Sequence, residues 1–360
     1  MKILLLYREP FNNEITHNVV NGGGEMFCKL INENFDTKVR RIDFEADNKW
    51  KGSKKNQEQK DIINQAEDIN ADVIISNYPN AIYTGRYIQK SPIPVMVILH
   101  SVYKMTSIIQ RINALKDKKN GHSVFLVSEW QHDRYKELAA SIRGSYGTDG
   151  GPNGYGNQDI KIDGCLNSSY CKIKKNIVEP VWECGTIGRC DRNKKPFLLR
   201  NLLKDTDITN LIISGKYQDK NDKNYYEKNK ELDNVLWDRP HDEVIDNLSK
   251  FGTYFSTCNH ETWGITALEA LSCGVPLILN GYKDGTHAST IIPADKSHYK
   301  IIPTNDKEEL IKAIKSFDKI DRKEIQEKTW EKHNKEKWKN DFQNAIDKTI
   351  RRFKRCKKLY

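Results

Sequence analysis

The chain is expected to fold as two α/β domains, each a doubly wound parallel sheet with helices on both faces. Short apolar runs such as KILLLY (2–7), VMVILH (95–100) and VPLILN (275–280) alternate with segments of helical periodicity. Strands apolar throughout are those buried on both faces, which is the signature of a parallel sheet. A glycine-rich stretch, RGSYGTDGGPNGYGNQD (143–159), breaks the alternation, which then begins again. At 360 residues the chain is long enough to bury two cores.

In order, KILLLY is a buried strand running into a loop that ends NGGGE (21–25), and MFCKLINENF (26–35) follows as a helix. KVRRIDF (38–44) is a second strand. DNKWKGSKKNQEQK (47–60) reads as a loop on its glycine and lysine content, and DIINQAEDI (61–69) as a helix. ADVIISN (71–77), VMVILH and VFLVS (124–128) are strands. Ser128 and Gln131 then form a Ser-x-x-Gln capping box at the start of a helix over 128–141. Beyond the glycine-rich stretch, ECGTIGR, LIISGKY, NVLWD, TYFSTC, VPLILN and YKIIP read as strands with helices between them, and the chain from Arg322 onward is helical and charged. The expected domains are 1–165 and 166–335.

Composition removes several function classes. No run approaches the 18 apolar residues of a membrane span, and the five-residue apolar run before Arg8 is too short for the core of a signal peptide. With no secretion signal, the eight cysteines are expected as reduced thiols in a cytoplasm, the host's if the chain is phage-encoded. Cys165, Cys171, Cys184 and Cys190 are spaced too widely for a zinc ribbon or finger, so no metal is expected. The net charge is +10, and RRFKRCKKLY (351–360) carries six Lys or Arg without an acid. That favours a polyanionic partner, either nucleic acid or an anionic membrane surface.

One segment carries chemistry. In HETWGITALEALSCGVP (260–276), TYFSTC is a strand and ITALEALS a helix stopped by Gly274 and Pro276. The first amides of that helix, at Gly264, Ile265 and Thr266, face an anion with the positive end of the helix dipole behind them. Glu261 stands at the mouth of the site. Glu269 lies just over a turn inside, and its side chain leans back toward the N-terminus. The two carboxylates flank one bound phosphate: Glu269 reaches a ribose diol and Glu261 a hydroxylated ring, the layout of a nucleotide-sugar.

This segment resembles the Glu-x7-Glu signature of the retaining GT-B glycosyltransferases, the large family that includes sucrose and glycogen synthases and many bacterial sugar transferases. Glu261, Gly264, Glu269, Ala270, Gly274 and Pro276 match it, while Thr262 and Trp263 stand where the family has Gly-Phe. GRCDRNKK (188–195) resembles the family's Gly-Arg-x5-Lys segment, which places Arg189 and Lys195 on the donor diphosphate; Pro196 stands where the family usually has glycine. Gly23 and Gly24 resemble the Gly-Gly-x-Glu turn after the first strand. His100 ends a strand where the family often has a histidine facing the donor sugar.

The resemblance implies two Rossmann-like domains facing across a cleft, with the helix over 336–360 returning to the N-terminal domain. It implies transfer of a sugar from a nucleotide-sugar, expected as a UDP-sugar, with retention, no metal and no cofactor. Trp237 and Asp238 are expected at the base. Asp205-Thr206-Asp207 imitates a metal motif of a different glycosyltransferase fold, lies between a helix and a strand, and is discounted. The acceptor is expected to be a hydroxymethylated base in double-stranded DNA, held through the basic tail 351–360. A polysaccharide or lipid-linked acceptor at a membrane surface is the alternative, and a non-catalytic nucleotide- or DNA-binding protein is a further one.

Overall fold

A computed structural model of the chain describes residues 1–7, 23–41, 52–76, 88, 90–100, 120–128, 131, 133, 162–167, 169–191, 194–215, 222–258, 263–281 and 296–359. The chain divides into two compact units. The first holds Met1–Phe11, Gly22–Ser168 and Trp338–Tyr360, and the second holds Ser169–Lys337.

The first unit is built on a parallel sheet of β1 (Ile3–Tyr7), β2 (Thr37–Arg41), β3 (Val73–Ser76), β4 (Val95–Leu99), β5 (Ser123–Leu126) and β6 (Gly164–Cys165), in the order β2-β1-β3-β4-β5-β6. The order reverses direction between β1 and β3, where such sheets open a crevice at the carboxyl ends of the strands. β3, β4 and β5 are buried at every position, as strands covered on both faces must be. Leu4 and Leu6 pack on one face with Ile62 and Ala66 of α2 (Gly52–Asp68). Ile3 and Leu5 alternate to the other face and are equally buried.

The structure corrects one expectation here. Gly52–Lys60, read as loop, is the first half of α2. Lysine, glutamine and glutamate are good helix formers, and Gln59, Ile62 and Ala66 fall three and four residues apart on the buried side. At the capping box, the Gln131 amide donates to Ser128 Oγ at 3.3 Å, while Gln131 Oε1 accepts from the Val127 amide at 3.0 Å. The return bond therefore lands one residue before the cap.

The second unit has β7 (Trp182–Arg189), β8 (Asn210–Gly215), β9 (Val235–Trp237), β10 (Phe251–Ser256), β11 (Leu277–Asn280) and β12 (Tyr299–Ile302). All are parallel, in the order β12-β11-β10-β7-β8-β9. Its helices are α3 (Leu198–Leu203), α4 (Lys223–Glu227), α5 (His241–Leu248), α6 (Ile265–Ser272), α7 (Lys307–Lys315) and α8 (Arg322–Lys332). One core lies between the sheet and α5, α6 and α8, around Phe251, Leu277 and Ile325; the other lies under α3 and α7, around Phe255, Ile278 and Leu310. The strand order reverses between β7 and β10, so the binding crevice of this unit is expected at their carboxyl ends.

The last helix, α9 (Lys335–Leu359), runs 25 residues. Its buried stripe of Trp338, Phe342, Ala345, Ile346, Thr349 and Phe353 follows the three-and-four spacing of an amphipathic helix. Within the first unit Trp338 and Phe342 stack on each other at 5.5 Å, and Phe27 of α1 (Gly23–Asn34) meets both edge-on. Burying a ring of this size stabilises by about 1.5–3 kcal/mol. This aromatic cluster holds the chain's last helix against its first.

Candidate functional site

In the second unit the carboxyl ends of β7 and β10 carry the two segments singled out in the sequence. Arg189 is the last residue of β7, with about a third of its side chain exposed. The chain turns at once. Asp191 Oδ1 accepts from the Lys194 amide at 2.6 Å, the Asp191 carbonyl accepts from the Lys195 amide at 2.9 Å, and Asp191 Oδ2 lies 3.3 Å from the Arg189 guanidinium. Lys195 is left-handed at φ 46° immediately before Pro196. A non-glycine residue in that region costs on the order of 1–3 kcal/mol and tends to mark functional turns.

The turn is tied to the neighbouring strand: Thr257, just past the end of β10, donates its hydroxyl to the Lys194 carbonyl at 2.6 Å. The tie holds the Arg189–Lys195 segment against the carboxyl end of β10.

α6 begins at Gly264, whose carbonyl accepts the first intrahelical bond from Leu268 at 2.9 Å. The first turn holds no acidic residue and no side-chain cap. Among the described residues no side chain caps the amides of Ile265 and Thr266, which have the dipole behind them. The opposite end is closed by a Schellman motif. Gly274, at φ 74°, donates to the Leu271 carbonyl at 2.9 Å, and Val275 to the Ala270 carbonyl at 2.9 Å. Arg322 of α8 backs this end, donating to the carbonyls of Gly274, Val178 and Ser249 at 3.1, 2.8 and 2.8 Å. The helix is clamped at its negative end.

Glu269, the fifth residue of α6, is about one-fifth exposed, and its Oε1 lies 2.7 Å from Nε2 of His241. His241 is the first residue of α5. The hydrogen bond to Glu269 raises its pKa above the usual histidine value against the opposing effect of burial. The sequence reading did not identify this partner, and it also missed Asp191 and Thr257.

The other expected residues lie as follows. Trp237 and Asp238 are at the carboxyl end of β9, two strands from β7. The Trp237 ring packs against Phe197 and Tyr226, its Nε1 donates to the Lys230 carbonyl at 3.1 Å, and Asp238 is left-handed at φ 49°. In the first unit, Gly23 and Gly24 open α1, and His100 follows the last residue of β4. The His100 ring lies 4.9 Å from that of Phe27, on the same helix as the two glycines. Burial pulls its pKa down to about 3, so the imidazole is neutral at ordinary pH. Glu261 lies outside the described residues.

Among the described residues no three His, Cys, Asp or Glu come together to hold a metal, and no helix is long and apolar enough to cross a membrane. Cys184 and Cys190 sit in the second unit's core, where burial pushes both thiols up to about 12.

Comparison with known proteins matches this geometry to a family segment and a fold. Residues 172–336 match the family described as Glycosyl transferases group 1. Comparison with curated proteins gives no match. Among solved structures, TarM of S. aureus is 14% identical with a TM-score of 0.54; the likeness covers 79% of this chain but only 57% of TarM. The lipopolysaccharide outer core galactosyltransferase WaaB gives 14% identity and a TM-score of 0.62, covering 96% of this chain and 99% of its own. HepE of Anabaena, in complex with UDP and glucose, gives 12% identity and a TM-score of 0.67, again covering 96% and 99%. At these identities the likeness speaks to fold. The chain has the GT-B fold, and within its second unit residues 172–336 are similar to the Glycosyl transferases group 1 family.

Proposed function

We propose that the chain is a retaining, metal-independent glycosyltransferase that takes a sugar from a nucleotide-sugar, of which a UDP-sugar is the first to test. The observation that carries the reading is the joining, through Thr257 and Lys194, of the Arg189–Lys195 turn to the carboxyl end of β10, the strand that precedes α6. It supports a donor site at this switch point, with Arg189, Lys195 and the α6 N-terminus facing the diphosphate.

Breaking the glycosidic bond builds negative charge on the leaving diphosphate. Arg189, Lys195 and the amides of Gly264, Ile265 and Thr266 meet that charge, doing by fixed dipoles and cations what a metal does elsewhere. Glu269 takes the ribose diol and Glu261 the sugar hydroxyls. Gly23 and Gly24 let the backbone approach the donor, His100 offers the sugar a neutral imidazole, and Trp237 with Asp238 meets the base. The acceptor hydroxyl gives up its proton to the leaving phosphate as the new bond forms on the same face.

Replacing Arg189 or Lys195 with alanine should each cost on the order of 100-fold in turnover while leaving the melting transition in place. Near wild-type turnover in either variant would remove that residue from the diphosphate. Donor hydrolysis and transfer both at background would favour a nucleotide-binding protein without catalysis. For the acceptor, the cationic end of α9 supports a polyanion. A hydroxymethylated base in DNA is one reading. A glycan or lipid-linked acceptor is the other, and it gains weight from the likeness to WaaB, described as acting on lipopolysaccharide outer core. Mass spectrometry of products on each acceptor class separates the two.

A further inference from the structure

The first unit carries a cavity of about 250 Å³ lined by Asp163, Lys348, Arg351, Arg352 and Arg355, four cations against one carboxylate. The carboxylate is already committed. Its side chain is only 4% exposed, one oxygen accepts from the Val124 amide at 2.8 Å, and the other takes the Arg352 guanidinium at 2.9 Å. Lys348 donates to the Asp163 carbonyl oxygen at 2.5 Å. Asp163 thus serves as a buried post that fixes two of the cations. Among the described residues no carboxylate pairs with Arg351 or Arg355.

The wall is firm. Phe353, 5% exposed, stacks on the fully buried His122 at 5.5 Å, so the helix cannot roll its cations away. Gly121 lets it come this close, because a Cβ there would stand 2.9 Å from that of Cys356.

We propose that this cavity is an anion site for a single phosphate ester group, separate from the donor site of the second unit. Lys348, Arg351 and Arg355 recur at three- and four-residue spacing on one face of α9, which concentrates their charge within about 10 Å along the helix. Guanidinium groups match phosphate oxygens in paired hydrogen bonds. The volume lies just under the roughly 300–1,000 Å³ of pockets that hold drug-sized ligands, which is ample for a phosphorylated head. A recess also selects a group that can enter it, unlike the phosphates of a rigid duplex. The site stands whether or not the chain transfers sugars.

Calorimetry with glycerol 3-phosphate tests the site, and co-sedimentation with phosphatidic acid vesicles against phosphatidylcholine vesicles asks whether a lipid or a soluble ester supplies the group. The double variant Arg351→Ala/Arg355→Ala should weaken glycerol 3-phosphate binding by about tenfold or more. Lys354→Ala/Lys358→Ala removes the same charge from the same helix without touching the cavity and should leave that binding within twofold. Vesicle binding lost in the first variant but kept in the second assigns the group to a lipid. Ester binding without vesicle binding assigns it to a soluble compound. UDP binding should stay the same in both variants. Equal losses in the two doubles would reduce the site to unspecific charge and overturn the proposal. Binding to duplex DNA alone, with none to ester or vesicle, would overturn it as well. If the alanine double fails to fold, Arg355→Gln against Lys354→Gln gives the same comparison, one charge for one.

Discussion

Asp191 gives the sharpest test of how the donor is held. Its carboxylate lies 3.3 Å from the Arg189 guanidinium, so the residue meant to meet a diphosphate already has an anion beside it. Asp191→Asn removes that charge and keeps an oxygen for the Lys194 amide, so the turn survives. At 3.3 Å a unit charge pair is worth about 1.3 kcal/mol with water-like screening and about 5 kcal/mol at an effective dielectric of 20. Arg189 and Asp191 are 34% and 17% exposed, and pairs this open yield at most about 1 kcal/mol in measured cycles. The expected effect on UDP is therefore about fivefold tighter binding at low salt, shrinking as ionic strength rises. Asp191→Ala, which also removes the turn's acceptor, should gain less. Titration calorimetry of the three proteins with UDP, at two salt concentrations, reads the difference. Weaker or unchanged binding in Asp191→Asn at low salt would mean that Arg189 does not face the phosphates.

Three further outcomes follow from the same geometry. His241 has a folded pKa raised by Glu269, so its contribution to stability is full below the unfolded value of about 6.5 and is lost as pH climbs through the folded one. His241→Ala should then melt about 2–3 °C below wild type near pH 5.5 and level with it near pH 9; a gap that widens toward alkaline pH would refute the pairing. Gly274→Ala must place a Cβ at φ 74° only 2.4 Å from the Arg322 carbonyl oxygen, which should cost about 3 kcal/mol and be plain in a thermal melt. Chelation with EDTA should leave transfer activity unchanged, and activity that vanishes and returns with manganese or magnesium would put the charge-stabilising role on a metal.

Much of the fold was legible because its strands are apolar at every position. VMVIL and SVFL need cover on both faces, and that requirement leads to parallel sheets. The elements that escaped are those whose signal is short or polar. β6 is two residues long, pairing Phe125 with Gly164 and Leu126 with Cys165. The start of α2 reads SKKNQEQK, a polar stretch whose one buried described side chain is Gln59. The same division holds at the site. Arg189 and the α6 segment stand out as local patterns, because a strand end and a helix start are fixed by neighbours in sequence. Thr257 reaches a carbonyl 63 residues away and His241 a carboxylate 28 residues away. The first distance closes only when β7 and β10 pair and the second only when α5 and α6 pack on the same sheet, which no local periodicity announces.

The two ends of α6 suit so short a helix to the phosphate-binding role proposed for it. Eight residues are too few to hold a helix by its own hydrogen bonds, so its stability must come from packing. Ala267, Leu268, Ala270 and Leu271 supply it from below. At the carboxyl end, Gln326 Nε2 and Trp330 Nε1 both donate to the Ser272 carbonyl, at 3.0 and 3.1 Å, while Arg322 holds Gly274. Every device on α8 acts on acceptors, and a cation stands where the helix dipole is negative. None of these contacts reaches the first turn. Among the described residues no side chain caps the amides there, and stabilising a developing negative charge requires such donors, fixed beforehand by the packing behind them.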